Sequence, residues 1–224
     1  MGLQFIYGKT NTGKTQYVLN KALELYDSGK PFIMVVPEQY THLAEKKLIS
    51  KIGSIEQGRA EVLSFDRIAT KINKLYDNNK KKLSKVAKTL ILSEIISDAE
   101  LKYYTNASGE SGFVDSINNE ISELKKYNIT CDDVEKAIET VNDKALKLKL
   151  EDIHTIYSKY EKTISTVYAD SDDSLGILAD NLEEFSPYSG YTFIFDEFSS
   201  FNPNEKDIIK ALIKQSDMTF ITFC

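Results

Sequence analysis

Gly8-Lys9-Thr10-Asn11-Thr12-Gly13-Lys14-Thr15 decides how the chain is read. It satisfies Gly-x-x-x-x-Gly-Lys-[Ser/Thr] at every fixed position, follows the apolar run Leu3 to Tyr7 and precedes an amphipathic stretch. Strand, loop and helix in that order are the context in which the pattern has physical meaning. Gly8 and Gly13 permit backbone conformations that turn successive N–H groups inward, toward phosphate oxygens. A helix beginning near Lys14 adds the positive end of its dipole. Lys14 is then placed to reach β- and γ-phosphates, and the Thr15 hydroxyl to ligate magnesium, a hard cation that favours oxygen. The whole stretch, Gly8, Lys9, Thr10, Asn11, Thr12, Gly13, Lys14 and Thr15, is therefore expected to be a phosphate-binding loop. A chance Gly-Lys-Thr turn is the alternative, and it leaves the register of strand, loop and helix unexplained.

Outward from this loop, strands and helices alternate. Val18, Leu19, Ala22, Leu23 and Tyr26 recur at helical spacing and predict a helix over Thr15 to Asp27, stopped by Gly29. Phe32-Ile33-Met34-Val35-Val36, closed by Pro37, suits a strand covered on both faces of a parallel sheet. A helix over Tyr40 to Ile52, a strand over Ala60 to Phe65 and a helix over Arg67 to Tyr76 follow. From Ile68 to Glu184 there is no proline and no convincing strand pattern. Helices are expected there over Lys85 to Asp98, Phe113 to Tyr127, Asp132 to Val141, Lys144 to Val167 and Ser174 to Phe185. Gly109-Glu110-Ser111-Gly112 and Asp170-Ser171-Asp172-Asp173 read as exposed loops. The sheet pattern resumes at Tyr191 to Phe195, followed by a helix over Pro203 to Gln215 and an apolar run from Met218 to Phe223. Asn202, Pro203 and Glu205 form a good helix start. The expected architecture is an α/β parallel core split by an all-helical insertion of more than a hundred residues. A chain that ends on an apolar run, with no helix behind it to cover the sheet, is expected to be the N-terminal piece of something longer.

Tyr191-Thr192-Phe193-Ile194-Phe195-Asp196-Glu197 has the form of a second strand delivering acids to a metal-phosphate site. Asp196 falls at the carboxyl end of that strand, where ligands of open α/β sheets gather. The expected roles are Asp196 on magnesium, with Thr15, and Glu197 as the general base that polarises water. Glu197 and Lys14 are the candidate catalytic residues. Acidic residues also end strands as solvated caps, so the pair gains its meaning from the loop.

Taken in order, the Gly-Lys-Thr loop, Val35-Val36-Pro37-Glu38-Gln39-Tyr40-Thr41, Val62-Leu63-Ser64-Phe65-Asp66-Arg67-Ile68-Ala69 and Phe195-Asp196-Glu197-Phe198-Ser199-Ser200-Phe201-Asn202-Pro203 resemble superfamily 1 helicases related to UvrD. The Pro-Glu-Gln and Ser-Phe-x-Arg segments in particular resemble the N-terminal region of the AddB family, within ATP-dependent helicase/nucleases. The resemblance covers both ends, roughly 1–69 and 190–224, and the middle mainly by position and size. It implies a P-loop NTPase core of RecA-like type at 1–69 and 186–224, interrupted at 70–185 by a helicase 1B-like insertion. It further implies processing of broken DNA ends for recombinational repair, ATP and Mg2+ as cofactors, and an AddA-type partner in a heterodimer. Gln39, Tyr40, Ser64, Phe65 and Arg67 would lie against single-stranded DNA, Tyr40 and Phe65 as stacking faces and Arg67 on a phosphate. The aromatic pair reads equally well as core. The family's nuclease site and iron–sulfur cysteines lie outside this chain. There are departures too: Ser199 stands where relatives of the UvrD type carry a γ-phosphate-sensing glutamine, and only Met1 precedes Gly2 where they carry an adenine-reading segment.

Composition narrows the remaining choices. A chain of 224 residues that is 42% hydrophobic and 28% charged is ordinary globular material. No apolar run approaches a membrane span and there is no secretory leader, so no membrane partner and a cytoplasmic setting are expected. The two cysteines, Cys131 and Cys224, support neither a disulfide framework nor a metal cluster. His42 and His154 lack metal-ligand spacing. A net charge of −6 argues against indiscriminate nucleic-acid binding. Yet Arg67, Lys71, Lys74, Lys80, Lys81, Lys82, Lys85 and Lys88 gather against only Asp66 and Asp77. That basic segment is either a phosphate-tracking surface or a solvated face, and the acidic stretch from Asp98 to Asp143 faces a partner or water. Two functional classes follow: the ATP-binding part of a helicase/exonuclease subunit, or a nucleotide- and DNA-binding module that serves as scaffold for a partner motor. A small-molecule kinase with a helical lid is a third reading, which the helicase-like segments oppose.

Overall fold

The computed structural model describes residues 2–55, 58–76, 81–107, 109–110 and 112–223, the side chain of Lys82 excepted. In chain order the elements are β1 (Leu3–Tyr7), α1 (Lys14–Asp27), β2 (Phe32–Val35), α2 (Thr41–Ile52), β3 (Ala60–Leu63), α3 (Phe65–Leu75), β4 (Lys81–Lys82) and α4 (Lys85–Ser97). They continue as α5 (Phe113–Lys126), α6 (Cys131–Thr140), α7 (Lys144–Ile164), β5 (Tyr168–Ala169), α8 (Ser174–Glu184), β6 (Thr192–Phe195), α9 (Pro203–Gln215) and β7 (Met218–Phe223). Single 3₁₀ turns cover Glu38–Tyr40 and Ser171–Asp173. The chain forms two compact units, Met1–Tyr76 with Ser174–Cys224, and Asp77–Asp173.

The first unit is built on a five-stranded sheet in the order β1-β7-β6-β2-β3, with every neighbouring pair parallel. Alternation along each strand sends successive side chains to opposite faces. Phe32, Met34, Ile194 and Phe220 meet Val18, Leu19 and Ala22 of α1 and Leu48 of α2. Ile33, Val35, Phe193, Phe195 and Ile221 meet Ile68 and Ile72 of α3, Leu178 and Leu182 of α8, and Ile208 and Leu212 of α9. Both faces of β2 and β6 are therefore covered, which is why those stretches read as unbroken apolar runs. Burying each such side chain contributes roughly 1.5–3 kcal/mol before the entropy of ordering is subtracted. The edge strand β1 differs, with Leu3, Phe5 and Tyr7 left 42, 45 and 72% exposed. Helix α8, which the composition groups with the helical block, packs against α3 and α9 in this unit.

Helix ends follow local chemistry. Gly29 takes φ 73° just past α1, and the Lys30 amide donates back to the Leu25 carbonyl, the left-handed stop that glycine permits. Asn202 and Glu205 bond reciprocally across the first turn of α9, with Pro203 at its first position. The expected end of β3 at Phe65 is corrected. Ser64 caps α3 by accepting from the Arg67 amide, so Phe65 is already helical.

In the second unit α4, α5 and α7 enclose Leu92, Ile96, Phe113, Ile117, Ile121, Ile156, Tyr160 and Ile164. Two expectations are corrected here. The block is not all-helical: β4 and β5 pair in parallel, Lys81 with Tyr168 and Lys82 with Ala169, strands too short to leave a periodic signal. Nor is Asp170 to Asp173 a solvated loop, because Asp170 is only 3% exposed. Its carboxylate accepts from the Tyr160 hydroxyl at 2.7 Å and lies 3.3 Å from both the Lys88 and Lys125 amines. Lys88 also pairs with Asp172, and Lys125 with Asp173 and Glu161. Burial opposes the charge on Lys125, yet Asp173, Glu161 and Asp170 together raise its pKa above the ordinary lysine value. Burial likewise opposes the charge on Asp170, but the Tyr160 hydrogen bond and the two lysines outweigh it and hold its carboxyl below the usual range. The loop expected at 109–112 includes Ser111, which lies outside the described residues. Among the described residues, no helix is long and apolar enough to cross a membrane.

Candidate functional site

Where β1 ends, the chain passes through a loop that only glycine fits at two points. A Cβ on Gly8 would collide with the Thr12 hydroxyl. Gly13 takes φ 89°, in the left-handed region that favours glycine. Asn11 also sits there, at φ 63°. The Thr12 hydroxyl and amide donate to the Lys9 carbonyl at 2.7 and 3.3 Å and close the loop. Helix α1 then starts at Lys14 with no side-chain cap and no acid in its first turn. Its leading N–H groups are thus free of a side-chain acceptor, and the dipole there favours an anion. The Lys14 amine folds back to donate to the Gly8 and Lys9 carbonyls at 2.7 and 2.9 Å.

The acidic pair arrives from β6. Asp196 is 3% exposed, and its Oδ1 accepts from the Thr222 hydroxyl of β7 at 2.6 Å. Glu197 leaves the strand at φ 66°, a conformation non-glycine residues seldom adopt. Its exposed carboxylate accepts from the Thr15 hydroxyl at 3.3 Å. Because β7 lies between β1 and β6, the loop and Asp196 emerge two strand spacings apart, about 9.5 Å. A cavity of about 470 Å³ is lined by residues 10–15 of the loop together with Asp196, Glu197, Phe198, Ser199, Thr222 and Lys47. That volume is within the usual range for small-molecule sites. Gly8 and Lys9 shape the loop without lining this space.

The five residues expected on DNA are not brought to one surface. Phe65 is 4% exposed, its ring packed against Phe195, Phe198 and Phe201, so no face is open for stacking. Ser64 is 3% exposed and spends its hydroxyl on α3 and on the Glu38 carboxylate. Arg67 donates from Nε and Nη2 to Glu38 Oε1 at 3.2 and 3.1 Å. The hydrogen bond from Ser64, aided by Arg67, holds the Glu38 carboxyl below its ordinary value. Gln39 and Tyr40 remain exposed, Tyr40 by 39%. The basic cluster is also thinned: Lys88 is buried and paired, Lys71 pairs with Glu61, and Lys80 and the Lys82 side chain lie outside the described residues.

Glu38, Lys47 and Thr222 take part in this region without having been anticipated. Thr222 is one of two threonines, with Thr219, in the mostly apolar strand β7, and it is the one near the strand's carboxyl end. Lys47 and Glu38 leave no such mark, since a single charge on a half-exposed helix or turn is ordinary. Among the described residues no group of three or more His, Cys, Asp or Glu could hold a metal. A magnesium ion needs fewer, because it uses one or two carboxylates and completes its shell with water and phosphate.

Comparison with known proteins gives a consistent answer. The family model described as ADDB, N-terminal, matches residues 5–224. The chain is 35% identical over 233 residues to the B subunit of the ATP-dependent helicase/deoxyribonuclease of Clostridium tetani (strain Massachusetts / E88), covering 100% of this chain and 20% of that protein. A protein of the same name from Clostridium botulinum (strain Loch Maree / Type A3) is 35% identical over 230 residues, with the same coverage. One from Thermoanaerobacter sp. (strain X514) is 30% identical over 227 residues, covering 99% of this chain and 20% of that protein. The chain thus spans about a fifth of the length of these relatives. On the strength of a model that matches it almost end to end, the chain belongs to the AddB N-terminal family.

Proposed function

We propose that this chain is the ATP-binding N-terminal part of a DNA helicase/exonuclease subunit, working with an AddA-type partner on DNA ends in recombinational repair of double-strand breaks. In this reading the first unit is a P-loop NTPase core of RecA-like type, and the second is an insertion of the helicase 1B kind. The observation that carries it is that Lys14 and Asp196, distant in sequence, line one cavity. The donor set fits: a glycine-shaped loop at an uncapped helix start suits phosphate, and Thr15 and Asp196 offer hard oxygens to Mg2+.

Loop N–H groups would hold the phosphates, and Lys14 would exchange its Gly8 and Lys9 carbonyls for phosphate oxygens. Thr222 would keep one oxygen of Asp196 occupied, so that the carboxylate presents the other to the metal. Glu197, held above Thr15 by its left-handed backbone, would orient water and accept its proton. When bound, Mg2+ neutralises charge on the phosphate oxygens. Gln39, Tyr40 and the outer edge of Arg67 remain as the DNA-facing candidates.

A second reading has a specific observation behind it. Glu197 is already engaged by the Thr15 hydroxyl, and Ser199 lines the cavity where a longer side chain would sense the terminal phosphate. The domain would then bind nucleotide as a module while a partner motor does the work. Mg-ATP is expected to raise the thermal midpoint of the isolated protein by a stabilisation of about 2.7 kcal/mol at a hundredfold excess over Kd. Lys14→Ala removes that gain, and no shift in the wild type at millimolar nucleotide refutes both readings. DNA-stimulated ATP hydrolysis, measured alone and then with the partner, separates motor from module.

A further inference from the structure

We propose that Lys47 is a second phosphate-binding cation, one that makes the cavity prefer a nucleoside triphosphate over the diphosphate. The proposal rests on the nucleotide-binding reading above and assigns a residue that lies outside the Gly8 to Thr15 motif. Tyr40, Leu43, Ala44 and Lys47 recur at helical spacing and form one stripe of α2 and the turn before it. All four line a small cavity together with Thr15, Asp196 and Glu197. Lys47 alone of that stripe also lines the large cavity. Lys47 is half-buried beside that stripe, a setting in which a lysine keeps its aliphatic stem on apolar surface and its amine toward polar surroundings.

Two features make it a recognition group rather than a structural one. Among the described residues the Lys47 amine has no hydrogen-bond or ion-pair partner, whereas the Lys14 amine is engaged by its own loop. Its position also joins two spaces: it shares the large cavity with loop residues 10–15, and the small one with Thr15, Asp196 and Glu197. Phosphates cradled by the loop would project their terminal group toward that end, where Lys47 supplies a charge-assisted bond that a diphosphate cannot reach.

The test compares Mg-ATP and Mg-ADP dissociation constants by titration calorimetry on the intact protein carrying this chain, for wild type, Lys47→Ala, Lys47→Arg and Lys14→Ala. Lys47→Ala is expected to weaken Mg-ATP about tenfold while leaving Mg-ADP within about twofold. Lys47→Arg should keep most of the preference, and Lys14→Ala should lose both ligands. Unliganded thermal midpoints within a few degrees of wild type confirm that the variants fold, and the Arg variant serves if the Ala variant does not. Equal loss of both nucleotides, or no loss of either, overturns the role of Lys47 while leaving the Lys14 site standing. A wild type that binds neither nucleotide removes the site and this proposal together.

Discussion

Lys125 in the helical unit and Lys14 in the sheet unit are both drawn away from bulk solvent, but their amines end on different partners. Lys125 faces the carboxylates of Asp170, Asp173 and Glu161, each of which belongs to the same closed network. Among the described residues, Lys14 meets only two carbonyl oxygens of its own loop. The acids differ in the same way. Asp170 is held by a tyrosine and two lysines, whereas the only hydrogen bond to the Asp196 side chain among the described residues comes from Thr222. Charge balanced inside a unit stabilises that unit, and charge left facing a cavity is available to a ligand. Residue type does not separate the two cases; the partner does.

The comparison breaks most visibly at Asp170. Asp170→Asn leaves Lys88 with Asp172 and Lys125 with Asp173 and Glu161. It nevertheless removes the buried carboxylate that accepts from Tyr160 and lies between both lysines, and a loss of about 1.5–3 kcal/mol is expected in denaturant unfolding of the second unit. The Asp170 carboxyl is held below its ordinary value of 3.8. Its contribution is therefore present above about pH 4 and fades as pH falls through the lowered value, so the variant should show a flatter acid limb. A mutant as stable as wild type would mean that the network is ornamental.

Thr222→Val sharpens the contrast from the other side. It strips Asp196 of its hydroxyl donor, which should cost about 1–2 kcal/mol without ligand, and should also weaken Mg2+-dependent nucleotide binding. Binding that is unchanged in Mg2+ dependence would dismiss Thr222 as an orienting group. The smallest effect is expected for Asp196→Asn, within about 1 kcal/mol of wild-type stability or slightly above it, because a sparsely partnered buried charge is removed. If Asp196→Asn destabilised the protein as much as Asp170→Asn, the distinction between balanced and available charge would fail.

The elements that were legible from sequence are those whose signals are local. Helix α9 runs from Pro203 to Gln215 as read, since Asn202, Pro203 and Glu205 fix its start within four positions. The strands β2 and β6 were legible because burial on both faces writes a continuous apolar run. Errors occurred where two local signals competed or none existed. Phe65 looks like the last residue of a strand until Ser64 is seen to cap the next helix. Two-residue strands such as β4 and β5 have no period to detect. Asp170 to Asp173 reads as a solvated loop because four small polar residues in a row say nothing of the lysines that approach them.

What the sequence determined by itself was the glycine-framed loop ahead of α1, the acidic pair at the end of β6, and the alternation of buried strands and amphipathic helices around them. Each is written in residues a few positions apart, within reach of backbone sterics and side-chain periodicity. Only the tertiary structure decided that Phe65 is core rather than surface, that Lys88 and Lys125 are structural, and that Lys47 and Thr222 join the cavity. Those outcomes depend on which distant side chains share a low-dielectric space, and a charge or a ring takes its role from that company, which no local pattern encodes.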